Sequence, residues 1–191
     1  MNYTLALLKM DSKAQVWVET VIYILIGLSV IGILLAVITP KINEMRDKSV
    51  IDSMISALNE IDSTINTVKL GTGSKGIVKI GLNKGMLIIE PKSGNITFVL
   101  DKSNVEYSQP DKTVEIGRIK ALTQESKGII NVSLTLDYPS FYLTYNGGQD
   151  KKVFNQASLP YRVSIENKGE ETVVTPTGTV KVTHIDIASI S

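Results

Sequence analysis

The 191-residue sequence contains no cysteine, one histidine and one tryptophan. The absence of cysteine excludes disulfide bonds and thiolate catalysis, and it leaves the redox compartment undetermined. With a single imidazole, no thiol and no Gly-x-Ser-x-Gly elbow, the usual donors of a metal cage and the usual members of a nucleophilic triad are missing. The composition therefore favours a structural or binding protein over an enzyme, and we expect no cofactor.

The sequence also has little net charge and few aromatic residues. Twenty Lys and Arg residues balance nineteen Asp and Glu residues, and aromatic residues make up 6% of the chain. No cluster of Lys and Arg stands out, and the Phe and Tyr residues are not interleaved with one. A nucleic-acid partner is therefore not expected, because such partners require a basic face.

What the chain does have is one long hydrophobic run, from Gln15 to Thr39, in which Glu19 is the only charged residue. At about 1.5 Å of rise per residue, the uncharged stretch from Thr20 to Thr39 spans about 30 Å, the thickness of the hydrocarbon core of a bilayer. Apolar residues lie all round this predicted helix, whereas a helix on a soluble protein carries a polar stripe. The run predicts a transmembrane helix.

The orientation of this helix follows from what flanks it. Lys9 and Lys13 precede the run, but Lys41, Arg46 and Lys48 follow it, so loop charge orients it only weakly. The short N-terminal tail has nothing to fold, whereas the downstream part is domain-sized, and long domains are translocated largely regardless of charge. We expect the N-terminus inside and the domain outside.

The junction before the run carries a resemblance to a known family. Ser12-Lys13-Ala14, followed by Gln15-Val16-Trp17-Val18-Glu19 and an apolar helix, resembles the class III signal of archaeal type IV pilin-like proteins. The family pattern reads Gln-x-Ser-x-Glu-x-x-x-Leu, and this chain has Trp17 in place of the serine and Tyr23 in place of the leucine. The resemblance covers approximately residues 1–60.

The resemblance implies how the chain is processed and assembled. A membrane-embedded prepilin peptidase would cut between Ala14 and Gln15 and leave the hydrophobic helix in the mature protein. Glu19 would then meet the new amino terminus of a neighbouring subunit, and pilus assembly machinery would act on the chain. The partners expected are the membrane, the peptidase, this machinery and other copies of the chain.

Small residues within the run suggest a packing face. Gly32 and Ala36 form a small-xxx-small pair, and Ser29 lies on nearly the same face, so another helix could approach closely in lipid. Glycine and alanine are also common in transmembrane helices without such a role. Pro40 closes the run and predicts either a kink or the exit from the bilayer.

The remaining chain predicts an α+β fold with a β-rich head. Apolar residues at helical spacing predict a second, amphipathic helical half, with a buried face of Ile42, Met45, Ile51, Met54, Ile55, Leu58, Ile61 or Asp62, Ile65 and Val68. The opposite, exposed face includes Glu44, Arg46, Asp47, Lys48, Asp52, Asn59 and Glu60. The predicted organisation is a leader at 1–14, a transmembrane and assembly helix at 15–39, an amphipathic helix at 40–70, a Gly-rich linker at 71–76 and a head at 77–191.

The linker, Gly71-Thr-Gly-Ser-Lys-Gly76, matches GxGxxG, but it follows a helix and precedes a strand, which is the wrong order for a dinucleotide site.

In the head, seven or eight antiparallel strands are expected in a sandwich or a curved sheet packed on the amphipathic helix. The runs 77–82, 86–90 and 96–101 predict a three-strand meander, and alternation from Ile130 to Tyr138 predicts a sheet with one wet face. Breaks in alternation at Gly117–Arg118 and between Val182 and Ile185 predict bulges.

Three further features of the head bear on a possible site or modification. His184 and Asp186, two apart on a strand, would share a face, and a polar pair at a strand edge explains them without catalysis. Asn95-Ile-Thr97 and Asn131-Val-Ser133 match the N-glycosylation pattern, which suits an exterior head. The loop from Asn146 to Lys152 is where an enzyme site would lie, if there were one.

The sequence thus predicts a structural subunit of an archaeal type IV pilus-like surface filament, because bundled apolar helices in a filament core keep their surface from water. The alternative is a bitopic surface protein whose β-rich head binds a ligand or partner without polymerising.

Overall fold

A computed structural model describes residues 12–175 and 178–190. Within these residues the elements are α1 (Ser12–Val68), β1 (Lys75–Ile80), β2 (Met86–Glu90), a 3₁₀ turn (Pro91–Ser93), β3 (Asn95–Ser103), β4 (Thr113–Ile116), β5 (Ile119–Ser126), β6 (Ile129–Asp137), β7 (Phe141–Tyr145), β8 (Lys152–Asn155), β9 (Tyr161–Thr175) and β10 (Gly178–Ile190). The predicted α+β class is confirmed. Most of the predicted leader, residues 1–11, lies outside the described residues, as do Pro176 and Thr177.

The helix α1 continues through Pro40. Proline lacks the backbone N–H that would bond to the carbonyl of Ala36, so one hydrogen bond of the helix is lost there without ending it. The chain divides into two compact units between Asn43 and Glu44, and α1 contributes to both.

The strands form two sheets, of four strands in the order β1-β9-β10-β7 and of six in the order β4-β5-β6-β3-β2-β8. Neighbouring strands are antiparallel except β7 and β10, which are parallel. The predicted three-strand meander is wrong, because β1 pairs with β9, in the other sheet from β2 and β3. The described residues contain ten strands, more than the seven or eight predicted.

One hydrophobic core joins α1 to both sheets. The predicted stripe is confirmed from Ile51 onward, and its fully buried members are Ile51, Met54, Leu58, Ile61, Ile65 and Val68. Ile42 and Met45 were predicted to be buried but are exposed, at 42% and 72%. The alternation predicted for β6 is also confirmed, since Val132, Leu134 and Leu136 point into the core.

The predicted flexible linker at 71–76 is wrong in its extent, because β1 begins at Lys75. The loop before it is held by Asn167, whose side chain donates to the carbonyls of Val68 and Lys69 at 3.1 and 3.2 Å. Gly76 lies against the helix: a Cβ added there would clash with Thr64 Cγ2. Gly76 is therefore needed for the close approach of β1 to α1, not for flexibility.

The two predicted bulges have different outcomes. Between β9 and β10 the register shifts at His184 and Ile185, which confirms the second bulge. At Gly117–Arg118 there is instead a two-residue hairpin turn, since Ile116 pairs with Ile119 across it, and Gly117 adopts a φ of 60°. Two-residue hairpin turns favour residues that accept positive φ, which explains the glycine.

Candidate functional site: the apolar half of α1 and the anchors of the head

The first half of α1 exposes an apolar surface on all sides. From Val16 to Ile38 its exposed large apolar side chains are between 39% and 69% exposed. By length and composition this is a candidate membrane span, with a mean hydropathy of 3.0 in its most apolar window and none of that window buried. Contiguous apolar surface of this extent is rare on soluble monomers, so the helix requires lipid or other helices around it.

Hydroxyl groups in this half of α1 donate hydrogen bonds within the helix itself. The acceptors lie four residues earlier, in the pairs Thr20 to Val16 O, Tyr23 to Glu19 Oε1, Ser29 to Leu25 O and Thr39 to Leu35 O, at 2.7–3.1 Å. A hydroxyl without a partner is costly in an apolar medium. These hydroxyl groups are therefore compatible with a hydrocarbon environment.

Glu19 is the one charged residue in this surface. Its Oε1 accepts the bond from the Tyr23 hydroxyl at 3.1 Å. A carboxylate has acceptor sites for several donors, so this single bond leaves capacity for a cation. Tyr23, which departs from the leucine of the family pattern, thus orients the carboxylate.

The predicted packing face is exposed. Ser29, Gly32 and Ala36 lie three and four residues apart, and a Cβ built on Gly32 meets nothing within 4 Å. These positions form a shallow strip on which a second helix could lie, as the sequence predicts. The predicted cleavage position, between Ala14 and Gln15, falls in the first turn of α1, and the side chains of both residues lie outside the described ones.

Asp47 anchors the second half of α1 to the head, and the sequence prediction placed it wrongly on the exposed face. Its side chain is 3% exposed. Asp47 Oδ2 accepts hydrogen bonds from the backbone N and the side-chain Nδ2 of Asn104, at 2.8 and 2.6 Å, while Lys84 Nζ binds Oδ1. Position 47 lies four residues before Ile51 on the buried face, a spacing that could have indicated burial.

Burial alone would raise the pKa of Asp47, but the hydrogen bonds from Lys84 and Asn104, together with the charge of Lys84, outweigh it and lower the pKa below its ordinary value. Folding therefore favours the ionised form. The contribution to the free energy of unfolding is present above about pH 4, the ordinary range of an Asp carboxyl, and is lost as the pH falls through the lower folded-state pKa.

We expect Asp47→Asn to lower the free energy of unfolding at pH 7 by about 1–3 kcal/mol, because a charged hydrogen-bond acceptor is removed from a buried site. The variant should also lose less stability than the wild type on acidification below pH 4. Thermal unfolding across pH 2.5–7 measures both effects, with Asp52→Asn, at an exposed position of the same helix, as the matched control. If Asp52→Asn lowered the free energy of unfolding as much as Asp47→Asn does, Asp47 would not be a specific anchor of α1 to the head.

A second contact lies farther along α1. The Tyr138 hydroxyl donates to Asp62 Oδ1 at 2.9 Å, and Arg118 Nη1 lies 2.9 Å from the same oxygen. The Arg118 guanidinium also lies over the Tyr138 ring, 5.0 Å from its centroid. Burial, and then the Asp62 carboxylate, raise the pKa of Tyr138 far above its ordinary value, so its hydroxyl remains a donor. The ambiguity between positions 61 and 62 is resolved: Ile61 is buried, and Asp62 lies at the edge of the contact.

His184 and Asp186 are joined through Thr144. The Thr144 hydroxyl donates to Asp186 Oδ1 at 2.6 Å and accepts from His184 Nε2 at 2.9 Å, and the backbone N of Gly147 donates to the same carboxylate at 2.8 Å. Both side chains reach the same hydroxyl, so they lie on one face of β10, and the residue left unpaired by the register shift, Lys168, lies on β9. Thr144 is 1% exposed and its proton is committed to Asp186, so the cluster presents no accessible nucleophile.

The two predicted glycosylation acceptors lie within the six-stranded sheet and are half-buried. The Asn95 amide, oriented to suit its neighbours, donates to the Ser93 carbonyl and to Asp137 Oδ1, both at 3.1 Å. Asn131 Oδ1 accepts from the Lys102 backbone N at 3.1 Å. A glycan at either position would have to displace these bonds.

The head has an open cleft of about 600 Å³, lined by the 3₁₀ turn, by residues 138–143 and by Val173 and Val180. Its walls are mainly aliphatic and aromatic. Among the described residues no group of three or more His, Asp or Glu is placed to hold a metal ion.

Comparisons with protein-family models, with curated proteins and with solved structures give no match, so what can be inferred about function rests on the residues of this chain.

Proposed function

We propose that this protein is a structural subunit of a type IV pilus-like surface filament, anchored and assembled through the apolar half of α1. The observation that carries the proposal is the apolar surface from Val16 to Ile38, exposed on all sides and interrupted by one acid, Glu19. A simple anchor needs only an apolar helix. An acid near the start of the helix, oriented by Tyr23, is explained by a cationic partner that arrives on assembly.

In this proposal the helix first holds the subunit in the membrane, with its N-terminus inside and the head outside. Cleavage before Gln15 then creates an α-amino group beside the apolar segment. Apolar helices leaving the lipid bury their surface against one another in the filament core, and the strip of Ser29, Gly32 and Ala36 allows close packing there.

Processing tests the proposal. We expect the protein isolated from membranes to begin at Gln15, shortened by 14 residues, and Lys13→Glu to remain at precursor length because the basic residue before the cut is lost. N-terminal sequencing and intact mass measure both outcomes, and Lys41→Glu, which follows the apolar half of α1, serves as the control for the change in charge. Intact Met1 in assembled material would contradict the proposal.

A further inference from the structure

The β9–β10 hairpin extends beyond the sheet that contains it. β9 pairs with β1 only over Tyr161–Glu166, and β10 pairs with β7 only over Thr183–Ile187. On the far side of these contacts, residues 171–174 and 179–182 pair only with each other among the described residues. A two-stranded ribbon is marginally stable by itself, and its unpaired edges are templates for another strand.

The outer edge of β10 has a distinct pattern over Thr179-Val180-Lys181-Val182. The two valines share one face, Lys181 lies on the other, and Val180 is 47% exposed. Lys181 has an ion pair with Glu170 at 3.4 Å, but both side chains are largely exposed, at 74% and 69%. Exposed ion pairs of this kind contribute little to stability. The Lys181 ammonium can therefore exchange Glu170 for a carboxylate that binds it more strongly.

Four strands lie at the edges of the two sheets, and their charges differ. β1 carries Lys75 and Lys79, β8 carries Lys152, and β7 has no charged residue. Lysines on edge strands repel a strand that itself carries a lysine. β4 alone among these edges carries an acid, Glu115, and no lysine.

β4 also matches the β10 edge in its apolar positions. Its sequence is Thr113-Val114-Glu115-Ile116, its residues are exposed or half-buried, and it pairs only with β5 among the described residues. When Lys181 lies opposite Glu115, either strand direction sets Val180 and Val182 opposite Val114 and Ile116. Glu115 lies opposite Lys120 of the neighbouring strand β5, but the Lys120 ammonium is bound to Asp137 Oδ2 at 2.6 Å.

We propose that the outer edge of β10, residues 179–182 of one copy, pairs with the edge of β4, Thr113–Ile116, of a second copy of this chain, with Lys181 opposite Glu115. The two edges belong to different sheets, so the contact joins unlike surfaces. Unlike surfaces give head-to-tail association, which continues into an open fibre unless the rotation closes a ring. This pairing rests on the proposed filament function, because that function brings copies of the chain together in one membrane.

Cysteine cross-linking of the full-length chain tests the pairing, because the natural sequence has no cysteine. Lys181→Cys and Glu115→Cys, each as a single variant, are produced together in one membrane and oxidised. Directly opposite residues in a sheet have Cα atoms about 4.5–5.5 Å apart, within the range of a disulfide. We expect a cross-linked dimer in the mixture and its loss when either variant is present alone.

Lys79→Cys, at an exposed position of the β1 edge, replaces Lys181→Cys in the control mixture and should give no dimer. Dimers of Lys181→Cys alone, or no dimer in the mixture, would overturn the pairing. In addition, Lys181→Glu and Glu115→Lys should each reduce association, and the double reversal should restore it.

Electron microscopy of the same cells separates this inference from the function on which it rests. Filaments without the cross-link would overturn the edge pairing and leave the pilin proposal standing. Cross-linked dimers without filaments would support the pairing and contradict the pilin proposal.

Discussion

Replacing Glu19 by glutamine is expected to abolish filament formation while leaving membrane insertion and cleavage intact. In an apolar filament core the carboxylate needs a cation, and the resemblance to pilin-like proteins supplies one, the α-amino group of Gln15 on a neighbouring subunit. An amide cannot neutralise that ammonium group. Breaking a buried ion pair costs about 3–5 kcal/mol, so the affinity between subunits should fall at least about 100-fold.

The control for this prediction is Glu60→Gln, at an exposed position in the second half of α1. It removes the same charge from the same helix and should leave filaments unchanged. A different role for Glu19 would be to interact with the helix dipole near the start of the cleaved chain, where headgroup water satisfies the carboxylate. If fully processed Glu19→Gln protein formed filaments as the wild type does, that result would favour the dipole role and contradict the proposed contact between subunits.

The second large effect is expected from truncation. A fragment of residues 44–191 should be soluble and fold, whereas a fragment of residues 77–191 should aggregate. The longer fragment keeps the buried face of α1, whose members are Ile51, Met54, Leu58, Ile61, Ile65 and Val68. At about 1.5–3 kcal/mol for each buried apolar side chain, their loss amounts to on the order of 10 kcal/mol, comparable with the whole stability of a domain.

The start of the longer fragment matters. A start at Ser49 would delete Asp47 and its bonds to Lys84 and Asn104. We therefore expect a fragment from Ser49 to be folded but less stable than the one from Glu44. Circular dichroism melting and size-exclusion chromatography measure this, and equal melting temperatures for the 44–191 and 77–191 fragments would refute the packing of α1 on the sheets.

The sequence predicted the features that depend on local periodicity. The apolar stripe from Ile51 to Val68 and the alternation in β6 repeat at helical and strand spacing, so each could be read without knowing what the segment packs against. The bounds of β2, Met86–Glu90, were also predicted correctly, because a short β-rich run lies there between two turns.

What the sequence did not predict depends on contacts between distant segments. Asp47 appeared to belong to a charged face, because its partners, Lys84 and Asn104, lie 37 and 57 residues away in the chain. The pairing of β1 with β9 and the role of Gly76 beside Thr64 are likewise set by tertiary packing. In the apolar half of α1, by contrast, the strip of Ser29, Gly32 and Ala36 could be proposed from spacing alone, and the role of Glu19 from the resemblance to pilin-like proteins, since no other part of the subunit is needed to place them.

The central claim, that the subunit polymerises, is tested most directly by electron microscopy of cells whose head domains carry a label. The account predicts label at regular intervals along surface fibres, because each subunit contributes one head around a core of apolar helices. Label spread over the cell body, with no fibres, would contradict the claim and indicate a membrane-anchored surface protein.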